Sequence, residues 1–393
     1  MMLKVTFWIC VALVIYTYVG YGVLLYILVR LKRLLYNGKS NHQATVCPVL
    51  PDVTFMVCAY NEQDVVDMKI ANTYALDYPK DKLHIVWVTD GSNDGTNRRL
   101  EKYSDVRVLH QPERKGKTAA LNRGLALAET SIVIMTDANT MVNKNAIMET
   151  VRLMADPKVG CVAGEKRVMT KTEGEIAAEG EGLYWKYESM LKSLDSELYS
   201  AMGAAGEYCA VKKELCRPMP ENTLLDDFIL SMLIVKQGYR IAYTSEAYAM
   251  ETGSENLAEE SKRKQRIAAG GLQSIWWLKS MILPWNNPVV AFQLVSHRFL
   301  RWSITPIALI ALIPLNIILL FTNAGYIYTA IWCLQILFYL SAFIGYIMST
   351  KGKKNKIFYI AFYFLFMNIN VFRGIKYLIS HKNGGVWEKA KRS

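Results

Sequence analysis

Two long stretches of this 393-residue chain lack charge altogether: no charged residue falls between Lys4 and Arg30, and none between Arg301 and Lys351. A helix needs roughly 20 apolar residues to cross a bilayer. The first stretch therefore spans once and the second twice, with a turn at "TNAGY" (322–326). The last apolar run, Ile357 to Phe372, contains Asn368 and Asn370 and leads into Arg373, so a fourth crossing and an interfacial helix are both open for it. The first stretch also lacks a small-residue cleavage site and runs straight into "RLKRLLYNGK", so it reads as a retained anchor rather than a signal peptide.

Other absences narrow the function. The seven cysteines form no C-x-x-C and the five histidines show no ligand spacing, which argues against a zinc site and against a disulfide framework. "RKGKTAAL" has Gln111 where a P-loop needs its first glycine, and no G-x-G-x-x-G follows a strand. There is no internal repeat and no low-complexity tract. Acidic residues are fewer than basic ones, 34 against 46. The excess sits beside the apolar segments, at Arg30, Lys32 and Arg33, in "KGKKNK" (351–356) and in the tail "KNGGVWEKAKRS". That placement suits anionic lipid better than nucleic acid. The positive-inside rule then puts residues 30–298 in the cytosol, as part of an integral protein of the plasma or inner membrane.

What is present is a series of buried-looking strands that end in polar loops. "VTFMVCA" ends at Tyr60-Asn61-Glu62, "LHIVWVTD" at Asp90-Gly91-Ser92, and "SIVIMTDANT" at Asp137-Ala138-Asn139. Helical segments alternate with them, the signature of βαβ units and a mostly parallel sheet. Ligands bind such sheets beyond the carboxyl ends of the strands. Asp137 and Asn139 offer two oxygen donors from one turn, which suits a hard cation that also grips a diphosphate. Singly each signal is weak: D-x-N is more often an Asx turn, and Asp226-Asp227 more often first-turn acids that complement a helix dipole.

In this order, however, the motifs resemble the family-2 glycosyltransferases, specifically the membrane-embedded branch of cellulose, hyaluronan and poly-N-acetylglucosamine synthases, over nearly the whole chain. The resemblance implies an α/β GT-A (Rossmann-like, nucleotide-sugar-binding) cytosolic domain with N- and C-terminal transmembrane helices. The expected divisions are an anchor at 1–36, the GT-A domain at 37–283, an amphipathic interfacial segment at 284–300, a membrane region at 301–380 and a basic tail at 381–393. It implies that Tyr60 and Glu62 line the nucleoside pocket, that Asp90 meets the nucleobase and that Lys117 lies along the donor. Asp137 and Asn139 stand where the family holds Mg²⁺ or Mn²⁺ with the diphosphate, and Arg266 where it steadies the diphosphate. Gly203, Gly206 and Glu207 of "GAAGEY" fall where the acceptor is positioned, and Asp227, beside Asp226, where the catalytic base stands.

The expected activity is inverting transfer from a nucleotide-sugar, a UDP-sugar first, to a glycan or lipid-linked acceptor. Two departures bear on this. Asn139 replaces a metal-site aspartate, and the Q-x-x-R-W of the processive synthases is here Arg263-Lys264-Gln265-Arg266-Ile267. Ile267 offers no flat ring for a sugar to stack on, so one or a few additions are expected; Trp276 and Trp277, nearby in sequence, are the substitute platforms that a processive enzyme would use. The alternatives are a processive polysaccharide synthase and a catalytically inactive scaffold or nucleotide-sugar sensor. A transporter is weaker, because the clear spans bury no charge.

Overall fold

The structure, a computed structural model, describes residues 1–35, 49–169, 176–253, 256–351 and 355–380, with the backbone alone at 176–181 and 183. Most of the polar linker expected at 37–51, half of "KGKKNK" and the basic tail lie outside the described residues. From the N-terminus, α1 (Met2–Leu35) leads to β1 (Val53–Ala59), α2 (Val66–Tyr74), β2 (Leu83–Asp90), α3 (Thr96–Leu100) and β3 (Val106–Gln111). Next come α4 (Lys117–Leu127), β4 (Ile132–Asp137), β5 (Met141–Val142), α5 (Ala146–Met154), β6 (Val159–Met169) and α6 (Ile176–Leu198). Then follow β7 (Cys209–Lys212), α7 (Asp226–Lys236), β8 (Arg240–Thr252), α8 (Leu257–Trp277) and α9 (Pro288–Leu294). The last three helices are α10 (Ile304–Phe321), α11 (Tyr326–Thr350) and α12 (Lys356–Ser380).

The strands form one sheet in the order β3-β2-β1-β4-β7-β6-β8-β5. The first four are parallel, as the alternation with helices predicts. The second half is not: β7 inserts antiparallel to both β4 and β6, and β5 is antiparallel to β8. The sheet is therefore mixed rather than mostly parallel. Alternate side chains of β1 enter opposite cores, Met56 on the face covered by α4 and α7, Phe55 and Val57 on the face covered by α2 and α5. Covering both faces explains why β1, β2 and β4 read as near-continuous apolar runs instead of alternating.

Among the described residues four helices, α1, α10, α11 and α12, are long and apolar enough to cross a membrane. Phe7 of α1 packs against Leu312 and Leu319 of α10 and Tyr328 of α11. Two helical segments contain a wide π turn, Tyr16–Gly20 within α1 and Val295–Phe299 following α9. Such turns widen a helix locally to aim a side chain, and these two carry Tyr18 and Arg298. Helix α12 lies along α8: Asn370 accepts from Ser261 at 3.0 Å, Tyr363 donates to Glu260 at 3.1 Å, and Gly374 faces Ala268.

Candidate active site

The loops after β1 and β2 are clamped to each other by the polar residues of "AYNEQ" and "DGSNDGT". Asn61 exchanges hydrogen bonds with Asn93 at 2.9 and 3.0 Å, the Glu62 amide donates to Thr96 at 2.9 Å, and the Gly95 amide donates to Gln63 at 2.6 Å. Tyr60 then presents its ring, with the Arg114 guanidinium 3.7 Å from its centre. Asp90 is buried; its carboxylate accepts from the backbone N–H groups of Lys115 and Gly116 at 3.0 and 2.6 Å. It thereby anchors the turn that starts α4 and sets Lys117 as the first residue of that helix.

Lys117 Nζ lies 2.6 Å from Asp137 Oδ1 at the end of β4 and 3.8 Å from Asp226 Oδ2. The turn after β4 is held from beneath by Lys69, fully buried, which donates to Thr136 Oγ1 at 3.0 Å and to the Thr140 carbonyl at 2.6 Å. Asp226 and Asp227 open α7, where the helix N-terminus favours negative charge. Asp227 Oδ1 accepts the Phe228 N–H at 2.7 Å. Burial first, and then the neighbouring Asp226, push Asp227 up to about 6, against the opposing pull of Lys117.

The Gly/Ala loop before β7 supplies the space between these groups. Gly203 has φ +90°, and any side chain on it would collide with the Phe228 ring. Ala204 N–H donates to Ser231 of α7 at 3.0 Å, tying the loop to the helix that carries Asp227. Gly206 marks the convergence: a Cβ placed there would sit 3.2 Å from Lys117 Nζ, 3.5 Å from Asp227 Oδ2 and 3.9 Å from Asp137 Oδ2. Three groups far apart in sequence thus surround one small volume. Glu207 points instead into a buried ion cluster, with Lys166 Nζ 2.5 Å from its Oε1 and also 2.5 Å from Glu251 Oε2. Lys166 and then Arg263 hold the Glu207 carboxyl well below its ordinary range despite burial. Asn139 connects to the same cluster through Glu251, at 3.5 Å.

All of the sequence-derived site residues except Gly203 line one cavity of about 1040 Å³. Gly203 acts from behind it. Arg266 reaches the cavity from α8, within electrostatic range of Asp226 and Asp137. The sequence reading missed Lys69, Arg114, Lys166, Lys192, Glu251, Arg298 and Arg301. A lysine inside the apolar "VGCVAGEKRV" was the one available signal for Lys166. The substitute aromatic platforms are also corrected: Trp276 is 68 % exposed, and the tryptophans that line the cavity are Trp185 and Trp302.

A sheet that turns from parallel to antiparallel just past the strand bearing the D-x-N pair, with its ligand cavity over the strand ends, defines a GT-A-type glycosyltransferase. The chain belongs to the glycosyltransferase-like family 2, whose profile matches residues 51–270, and is an enzyme of that class. It is 28% identical over 234 residues to the poly-beta-1,6-N-acetyl-D-glucosamine synthase of Staphylococcus aureus (strain MSSA476), a match covering 56% of this chain and 55% of that protein. It is 27% identical over 232 residues to the probable glycosyltransferase YdaM of Bacillus subtilis (strain 168), again over 56% and 55%. The chain thus matches about half the length of these curated relatives. Among solved structures, the mannosyltransferase PcManGT from Pyrobaculum calidifontis, in complex with GDP-Man and Mn²⁺, shares the fold with a TM-score of 0.64. That likeness covers 93% of this chain and 99% of the other, at 23% identity.

Proposed function

We propose that this enzyme transfers a sugar, with inversion, from a nucleotide-sugar to a lipid-linked or glycan acceptor at the membrane face, adding one or a few units per encounter. A UDP-sugar is the first choice of donor, as the resemblance implies. The observation that carries this reading is the shape of the cavity, which runs from the strand ends at Asp137 to Tyr18 and Phe364 on the apolar helices α1 and α12. In the transfer, Asp227 takes the acceptor hydroxyl proton and the freed oxygen bonds to the anomeric carbon. The bond from that carbon to the diphosphate breaks, and its electron pair leaves with the diphosphate. Lys117 and Arg266 are fixed cations beside the departing charge. Tyr60, Glu62 and Arg114 fit the nucleoside end, and Asp90 holds the turn that presents Lys117.

Asp137 and Asn139 would hold Mg²⁺ or Mn²⁺. No group of three or more His, Cys, Asp or Glu suited to a metal occurs among the described residues. Two oxygen donors nonetheless fit a hard cation that keeps water and completes its shell with diphosphate oxygens. When bound, the ion would neutralise charge on the leaving diphosphate. Asp137→Ala, or a chelator, is expected to lower transfer at least about a hundredfold; nucleoside diphosphate release measured with and without EDTA decides, and activity indifferent to both would remove the metal. An Asp at position 139 would bring a carboxylate towards Glu251, so any gain in cation affinity from Asn139→Asp is opposed by like charge.

The raised Asp227 sets a pH dependence. Only the carboxylate accepts a proton, so the rate at saturating donor should climb about tenfold per unit up to roughly pH 6 and then level. A rate unchanged between pH 5 and 8 would take the base role from Asp227. Gly206→Ala is expected to lower transfer by about tenfold or more with the fold intact, because the methyl occupies the volume shared by the three groups. Circular dichroism checks the fold and diphosphate release the rate.

The basic residues Lys32 and Arg33 at the end of α1 support a cytosolic catalytic domain in the plasma or inner membrane. Helix α12 packs along both α8 and the apolar helix α11, and its length and composition suit a fourth crossing; labelling of a cysteine after Ser393 from the outer side alone would agree, and labelling from the cytosolic side alone would make it an interfacial helix. Wild-type membranes offered a panel of nucleotide-sugars, with product sized by mass spectrometry, test the whole reading. A ladder beyond a few units would instead favour the processive reading, for which Trp185 and Trp302 offer stacking faces.

A further inference from the structure

Deeper in the cavity, between Asp227 and the apolar helices, is a group of cations that the transfer chemistry does not use. Lys192, on α6, is 4 % exposed and lines the cavity, yet its ammonium donates no hydrogen bond among the described residues. Its neighbours include the Trp185 ring, with its centre 5.9 Å away, and the charges of Arg298, Glu188, Asp227 and Glu207. Arg298 and Arg301 line the cavity beside it and share one carboxylate, Glu188, with Arg298 Nη1 at 2.9 Å. His297 Nε2 stands 3.3 Å from the same carboxylate. The other buried acid of this layer, Asp195, is occupied by His297 Nδ1 at 2.5 Å, Gln293 and Tyr21.

Glu188 and Asp195 are therefore committed, Glu207 belongs to the Lys166 cluster and Asp227 is kept for the acceptor proton, so cationic capacity is left over. Leaving a buried ammonium without an acceptor costs far more than pairing it. Desolvation and the Arg298 charge pull Lys192 below the ordinary lysine range, a strain that an added anion relieves. Immediately beyond this layer the cavity wall changes character, to Tyr18, Phe364, Met367 and Val371 from helices apolar enough to enter a membrane. An anion held here would be joined to something that prefers those walls.

We propose that Lys192, with Arg298 and Arg301, binds the phosphate of a lipid-linked acceptor, whose hydrocarbon leaves between α1 and α12 while its sugar hydroxyl reaches Asp227. Phosphate offers three acceptor oxygens to this group, and charge-assisted bonds to Arg and Lys are the strong ones. The π turns that carry Tyr18 and Arg298 aim both side chains into this part of the cavity. The inference rests on the transfer reading of the same cavity, so its test must fail separately from that reading.

The test is calorimetric titration of the intact protein, in nanodiscs of phosphatidylcholine, with farnesyl phosphate, farnesol and inorganic phosphate. Farnesyl phosphate is expected to bind at least tenfold more tightly than either of the others. Lys192→Gln should remove that advantage and Lys192→Arg should keep it. Farnesol binding as tightly as its phosphate, or an undiminished preference in Lys192→Gln, overturns the proposal; inorganic phosphate binding as tightly as farnesyl phosphate overturns the lipid assignment. The comparison of the three ligands on the wild-type protein stands even if the glutamine variant does not fold. Nucleotide-sugar binding, titrated on the same preparation, reports on the transfer reading by itself.

Discussion

Asp227→Asn is expected to lower kcat by about a thousandfold while the affinity for nucleotide-sugar changes by less than about threefold, the range for losing a positioned general base. Asparagine keeps the size of the side chain and can still accept the Phe228 N–H, so the start of α7 is undisturbed. It cannot take a proton. The neighbouring Asp226 is a poor stand-in, since it is more deeply buried and lies 3.8 Å from Lys117. Turnover and donor binding measured on one preparation decide the matter. Residual turnover within tenfold of wild type would move the base to Asp226. The double variant Asp226→Asn/Asp227→Asn should then show the additional loss.

The second large effect is on stability. Lys166→Met should cost about 3–5 kcal/mol, because it removes the buried ammonium that the carboxylates of Glu207 and Glu251 share. Lys166 Nζ lies 2.5 Å from a carboxylate oxygen of each acid, and Arg263 lies 3.6 Å from Glu207. For a domain of this size the melting temperature should fall by roughly 10 °C. Adding Glu251→Gln to Lys166→Met should restore part of the loss, since the second change removes the charge that the first exposed. Thermal unfolding of the three variants in one detergent tests this. Strictly additive losses would mean that Lys166 and Glu251 are not a coupled pair. Transfer should fall as well, because Glu207 follows Gly206 directly in the chain.

The cluster around Lys166 also explains why Asn139 is tolerable at the candidate metal position. Its amide nitrogen faces Glu251, so the asparagine turns one polar end to a buried carboxylate and leaves the other for a cation. An aspartate would offer only negative charge to both.

Sequence alone determined the parts of this protein that rest on local signals. The charge-free stretches mark α1, α10 and α11, because a helix long and apolar enough to cross a bilayer needs about 20 residues without charge. Unbroken apolar runs ending in Asn61, Asp90 and Asp137 mark β1, β2 and β4, because strands buried on both faces have no polar alternation and the chain turns where polar residues begin. The ordered motifs mark one part of the cavity wall for the same reason, each lying within one loop. Tertiary structure decided the rest. β8 escaped the sequence reading, since its register shifts against β6 and its buried Glu251 break any simple pattern. β7 pairs antiparallel in mid-sheet, a choice made by strands far away in the chain. The meeting of Lys117, Asp137 and Asp227 around Gly206, the Lys166 cluster, and the cations of Lys192, Arg298 and Arg301 join residues that are distant in sequence. Periodicity reports only which face a side chain takes, and partners across such distances are chosen by packing.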